Sequence, residues 1–247
     1  MAAAWSAGAR GFSAANVSTL ATDAFTISGS NRYLEVLVFT GAGTPQNLTS
    51  VVWDAAGVNE SLTQVESYIT FNTNFRVSKW ALTAPSTGTS KVVTATWAGV
   101  QDETMVIADS YTGIDQTTPS RTRPTPAQGN SSTASLSVPS VAGDIVVGAV
   151  VGGMTTPSLT TIISSAVTIR EKVEGADIGN YESCAQGDVV ASGASTSVGY
   201  TLNVSGGTPF YVLFGAALIP SAGGGGSPVS FPPVRSIGQR IAPLLNF

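Results

Sequence analysis

Roughly twelve short runs of alternating or continuously β-branched residues, each closed by turn chemistry, restrict how this chain can fold more than any other feature. The clearest case lies between residues 74 and 119. There Arg76–Leu82, Lys91–Trp97 and Glu103–Tyr111 are separated by Pro85-Ser86-Thr87-Gly88 and by Ala98-Gly99. In the middle run Val93, Ala95 and Trp97 share one face, and Val92, Thr94 and Thr96 the other. That period of two marks a strand with one better-buried face. Thr19–Ile27, Tyr33–Phe39, Thr49–Trp53 and Leu62–Phe71 precede this meander. Thr133–Val138, Asp144–Val151, Ala166–Val173, Tyr181–Val190, Ser197–Leu202 and Pro209–Ile219 follow it. Tyr33–Phe39 is apolar on both faces apart from Glu35, and Asp144–Val151 is β-branched on both faces, so both are expected in the deep core. No amphipathic helix of ordinary length is present. The pattern predicts an all-β fold, a two-sheet antiparallel β-sandwich of jelly-roll-like type. No internal repeat of fixed period is visible.

Three segments are expected. Residues 1–15, rich in Ala, Gly and Ser with Trp5, Arg10 and Phe12, read as an extended N-terminal arm. Residues 16–220 form the β-sandwich domain, with Thr117–Ser131 as the loop that crosses between its halves. Residues 221–247 comprise a Gly-rich linker, SAGGGGSP, and a C-terminal docking arm, VSFPPVRSIGQRIAPLLNF. Phe231, Val234, Ile237, Ile241, Leu244, Leu245 and Phe247 make that arm too apolar for a free tail, and its diproline favours an extended start.

Composition narrows the chemistry. Charged residues make up 11% of the chain and the net charge is −4, with no basic block. Nucleic-acid binding through many phosphate contacts is therefore not expected. The chain has no histidine, which removes Ser-His-Asp and Cys-His catalysis and any His-ligated metal site. Its one cysteine, Cys184, reads as a small apolar core residue and allows no intrachain disulfide. Phe210–Ile219 is about half the length of a bilayer span, so no membrane segment is expected. The N-terminus lacks the pattern of a signal peptide.

Candidate sites were weighed against their plainer explanations. Glu103, Asp109, Asp115, Asp144, Glu171, Glu174, Asp177, Glu182 and Asp188 are scattered, with no pair in a catalytic context, and read as solvated or turn-forming. Asp115 in TGIDQTTP reads as a turn residue bonding its own backbone. Arg121 and Arg123 read as solvated arginines beside prolines. Trp80 and Trp97 read as core, whereas Trp5 is a candidate anchor for a partner. No calcium loop and no phosphate loop is present, and no cofactor is expected.

The blocks SNRYLEVLVFTGAG, TSVVWD, RVSKWALTAPSTGTSKVVTATW, SYTGIDQTTP and SVAGDIVVGAVVG together resemble a β-sandwich domain of tailed-bacteriophage virion structural proteins, over roughly residues 17–219. The resemblance implies a structural or attachment role on a phage particle and carries over no catalytic residue. The resulting expectation is a non-enzymatic virion protein, in the first instance a capsid decoration (cement) protein. It would bind the major capsid protein or other virion subunits as a homo-oligomer, with a trimer as the expected state. Its partner-binding residues would be Trp5, Phe12, Phe231, Val234, Arg235, Ile237, Arg240, Ile241, Leu244, Leu245 and Phe247. The alternative is a tail-fibre or adhesin module that stacks host glycans on exposed aromatics. A polysaccharide-degrading enzyme, with two carboxylates facing across a cleft, is the third reading.

Overall fold

The computed structural model describes residues 2–41, 45–71, 75–154, 159–164, 166–174 and 182–222. Among these residues the secondary structure is strand alone, arranged as five antiparallel sheets. The first half holds β1 (Ala4–Ser13), β2 (Val17–Ala21), β3 (Phe25–Ile27), β4 (Tyr33–Gly41), β5 (Leu48–Trp53), β6 (Glu60–Ser61), β7 (Thr63–Phe71), β8 (Phe75–Thr83), β9 (Gly88–Lys91), β10 (Val93–Gln101) and β11 (Glu103–Thr112). The second holds β12 (Ala127–Asn130), β13 (Thr133–Pro139), β14 (Ile145–Gly153), β15 (Leu159–Ser164), β16 (Thr168–Val173), β17 (Glu182–Val190), β18 (Ser195–Val204) and β19 (Phe210–Leu218). Segment 113–126 crosses between them.

The first half forms a sheet of order β1-β11-β4-β8-β7 and a second of order β2-β10-β5-β6, with β3 and β9 as a separate pair. The second half forms sheets of order β12-β19-β14-β17-β16 and β13-β18-β15. Taken in chain order, the two large sheets follow one plan. β1, β4, β7, β8 and β11 occupy the places of β12, β14, β16, β17 and β19. Likewise β2, β5 and β10 match β13, β15 and β18. The sequence shows no such repeat, because the correspondence lies in strand order and burial. Many different β-branched and aromatic residues satisfy those two demands equally well.

Side-chain alternation sets the stacking. In β4, Leu34, Val36 and Val38 pack with Val51, Trp53, Val93 and Ala95 of the β2-β10-β5-β6 sheet. The opposite face of β4 carries Leu37 and Phe39, which pack with Ala149, Val151, Val212 and Phe214 of the second half. In β14, Val146 and Val150 turn away from that contact and join Val138, Ile162, Val198 and Tyr200. The order of layers is therefore β2-β10-β5-β6, then the β4 sheet, then the β14 sheet, then β13-β18-β15. The two middle sheets have packed layers on both faces, which is why every residue of β4 and of β14 is buried. Strands of the outermost sheets alternate instead, as in β13, where Thr133, Ser135 and Ser137 are exposed while Ala134 and Val138 are buried.

Segment 4–13, expected to extend as part of an arm, runs as edge strand β1 along β11, from Ala4 opposite Thr112 to Ser13 opposite Thr104. Cys184 is buried in the contact between the halves, its thiol 3.4 Å from the Met105 sulfur, and burial raises its pKa. Trp97 is core, with its indole N–H donated to Thr40 at 2.7 Å, and Trp80 is half-buried at the rim of the same core.

Because Phe214 sits in a cluster drawn from both halves, truncating it should weaken the whole molecule. Phe214→Ala is expected to cost about 3–5 kcal/mol, read as a lower denaturant midpoint. Fluorescence of Trp53, which lies in the other half, should report the same shifted transition.

Candidate functional site

The chemistry of the described residues gathers at the contact between the two middle sheets. Period-two alternation sends Glu35 of β4 to the same side as Leu37 and Phe39, and Asp109 of β11 to the same side as Met105 and Ile107. Lys79 of β8 and Gln186 of β17 arrive by the same rule from facing sheets. All four are sealed: Glu35 and Lys79 are 1% exposed, and Asp109 and Gln186 are fully buried.

These groups form a connected chain. The Arg123 guanidinium, brought in by the crossover segment, donates to both Glu35 carboxylate oxygens at 2.9 and 3.1 Å and to the Tyr33 hydroxyl at 3.2 Å. Lys79 Nζ lies 3.3 Å from Glu35 Oε1 and donates to Gln186 Oε1. Gln186 Nε2 donates to Asp109 Oδ2 at 2.8 Å and to the Glu35 carbonyl at 3.4 Å. The Trp5 indole N–H donates to Asp109 Oδ1 at 2.9 Å. Over the Trp5 ring, 4.9 Å from its centroid, lies the Arg170 guanidinium, which makes a two-pronged pair with Asp188 at 2.8 and 2.9 Å. Gly8 faces Asp109 across the β1–β11 ladder, and a Cβ there would lie 2.3 Å from Asp109 Oδ1, so glycine leaves the space that the carboxyl fills.

Burial and neighbours pull these groups in opposite directions. Burial pushes the Glu35 carboxyl up, but Arg123 and then Lys79 more than offset it and hold it at about 2. For Asp109, burial prevails over the hydrogen bonds from Trp5 and Gln186 and raises it to about 7. Lys79 is lowered, with burial outweighing the attraction of Glu35. An amine and a carboxyl are thus drawn toward each other in acidity, with one carboxamide between them. Such pairs mark acid–base sites when they face a cleft. This one faces packed sheets. Two grooves of about 490 and 420 Å³ flank the crossover segment, one lined by Arg121, Pro139 and Ile219 and the other by Tyr33, Val65 and Pro119. Neither has a carboxylate in its lining.

The expected partner-binding residues fall in two groups. Trp5 is half-buried and committed to Asp109 and Arg170. Phe12 is 41% exposed on β1. Phe231, Val234, Arg235, Ile237, Arg240, Ile241, Leu244, Leu245 and Phe247 lie outside the described residues.

Arg123 corrects the expectation of a solvated side chain, whereas the Arg121 side chain is paired but still 32% exposed. Arg121 pairs with Asp144 through two contacts, at 2.5 and 3.0 Å, and Arg123 is buried on Glu35. Glu103, Asp109, Glu182 and Asp188 are likewise buried in strands rather than solvated. Asp115 is as expected, its Oδ1 accepting the backbone N–H groups of Thr117 and Thr118, both at 2.8 Å. The one signal of the seam in the sequence was Glu35, an acid inside an otherwise apolar run.

Arg123→Met should leave Glu35 buried without its main counter-charge and cost about 3–5 kcal/mol at neutral pH. The pH dependence has a defined sign. Glu35 sits at about 2 in the folded protein against an ordinary 4.5. Its contribution is therefore fully present above pH ~4.5 and is lost as pH falls toward ~2. Denaturant unfolding across that window should show the decline in the wild type and a flatter profile in Arg123→Met.

Comparisons of the chain with protein-family models, with curated proteins and with solved structures found no match.

Proposed function

We propose that this protein is a non-enzymatic structural protein of a bacteriophage particle, a head decoration (cement) protein bound to the capsid surface. Each half is read as a jelly-roll-like β-sandwich, and the two are joined back to back through their larger sheets. The repeated strand order of the halves supports that reading. The observation that carries the non-enzymatic part is the sealing of the perturbed acid–base groups: Glu35, Lys79 and Asp109, with Gln186 between them, offer no surface to a diffusing substrate. Rigidity is what such a body supplies, with its chemistry inside and hydroxyls outside. Ser135 and Ser197, and Ser137 and Ser195, pair across the outer sheet at 3.2 and 2.6 Å, giving a polar surface with little charge.

The particle reading itself rests on the resemblance and on the terminal segments. The apolar residues of 231–247, with Arg235 and Arg240 among them, suit docking onto shell or neighbouring subunits, with Phe12 as an added contact. Each weak contact becomes effectively intramolecular once the body is bound, which favours a homo-oligomer such as a trimer. The alternative of a glycan-binding tail module calls for exposed aromatic platforms. Trp53 and Trp97 are buried, and Trp5 and Trp80 are half-buried and hydrogen-bonded.

Deleting residues 223–247 should leave the melting transition in place and abolish co-sedimentation with particles that lack the protein. Undiminished loading of the truncated protein overturns the docking role of that segment.

A further inference from the structure

The buried Lys79–Gln186 contact holds all the parts of an amide-exchange reaction. We propose that the chain cross-links itself there: Lys79 Nζ displaces the side-chain nitrogen of Gln186, forming an isopeptide bond between the two halves. The inference is independent of the particle reading.

Each reacting group has a partner in place. Lys79 Nζ already contacts the Gln186 carboxamide through Oε1, the oxygen bonded to the Cδ that the amine attacks. Burial favours the uncharged, nucleophilic form of Lys79. Glu35 Oε1, 3.3 Å from Nζ and held ionised by Arg123, is the acceptor for the amine's proton. Asp109 Oδ2 lies 2.8 Å from Nε2, the atom that must leave, and burial keeps a substantial share of this carboxyl protonated near neutrality. The Glu35 carbonyl at 3.4 Å and Trp5, bonded to the other Asp109 oxygen, act as positioning groups.

The balance of the step is simple. Nζ of the free amine adds to Cδ. The Nζ proton passes to the Glu35 carboxylate, and the Asp109 carboxylic acid passes its proton to Nε2. The Cδ–Nε2 bond then breaks, the carbonyl re-forms and ammonia leaves, taking the proton from Glu35 as ammonium and returning that group to its carboxylate. One amine and one primary carboxamide become one secondary amide and ammonia. Nothing is oxidised or reduced, and no co-reactant is needed. The packed sheets exclude the water that would otherwise compete for Cδ. Because the two residues are 107 positions apart, the bond would tie β8 to β17 and close a long loop.

Intact mass spectrometry of the full chain under denaturing conditions tests this. The wild type is expected one ammonia lighter than its sequence mass, and Lys79→Met at its full sequence mass. Trypsin should leave Lys79 uncut and release Val77–Lys91 joined to Val173–Arg235. Asp109→Asn should retain the full mass, because it cannot supply the proton. Wild-type protein at full mass, with cleavage after Lys79, overturns the proposal. So does ammonia loss that maps to any other residue. Cross-linking of Asp109→Asn at the wild-type rate overturns the role given to Asp109. The wild-type mass decides the main question even if that variant does not fold.

Discussion

The Arg123–Glu35 pair is the interaction on which the packing of the two halves depends. An ionised carboxylate between two apolar sheets is costly unless its charge is met and its lone pairs are used. Arg123 does both with two parallel hydrogen bonds. The two faces of the seam also differ. The first half contributes Glu35, Lys79, Asp109 and Tyr33, and the second meets them with Gln186 and the Arg170–Asp188 pair beside Ile145, Val147, Ala149, Phe214 and Leu218. The polar groups of one face find their partners on the other, as Lys79 and Asp109 do in Gln186. That asymmetry selects one docking of two halves that share a strand plan.

Layering follows from the same seam. Sheets with packing on both faces cannot carry solvated side chains, so any polar group in them needs a partner. The chain gathers Glu35, Lys79 and Asp109 in one cluster with Gln186 and packs apolar residues around it. The outer sheets are freed from that demand on one side and show hydroxyls there. An internal lysine–glutamine bond would extend this arrangement, turning a polar cluster that specifies the docking into one that makes it permanent.

Much of the fold was legible in the chain. Tyr33–Phe39 and Asp144–Val151 read as central strands because neither face was polar, and β4 and β14 are the middles of the two buried sheets. Cys184, Trp97 and Asp115 also behave as their local context implies. The misreadings have a common cause. Arg123 sits among prolines and threonines and looked like a loop residue in water, yet its partner Glu35 is 88 positions away. Gln186 and Lys79 are neighbours only across the seam. Segment 4–13 has little apolar weight, and its strand state comes from pairing along the whole of β11.

The sequence by itself determined the all-β class, the positions of most strands, the identity of the two central ones and the absence of histidine chemistry. These are local properties: alternation with a period of two and turn residues at fixed offsets act over a few positions. Only the tertiary structure decided that there are five sheets rather than two, that the halves repeat one strand order, and that a glutamate, a lysine, an aspartate and a glutamine meet out of water. Those outcomes depend on which faces dock. Docking is set by shape and by Coulomb forces that strengthen as water is excluded, and no short window of residues encodes either one.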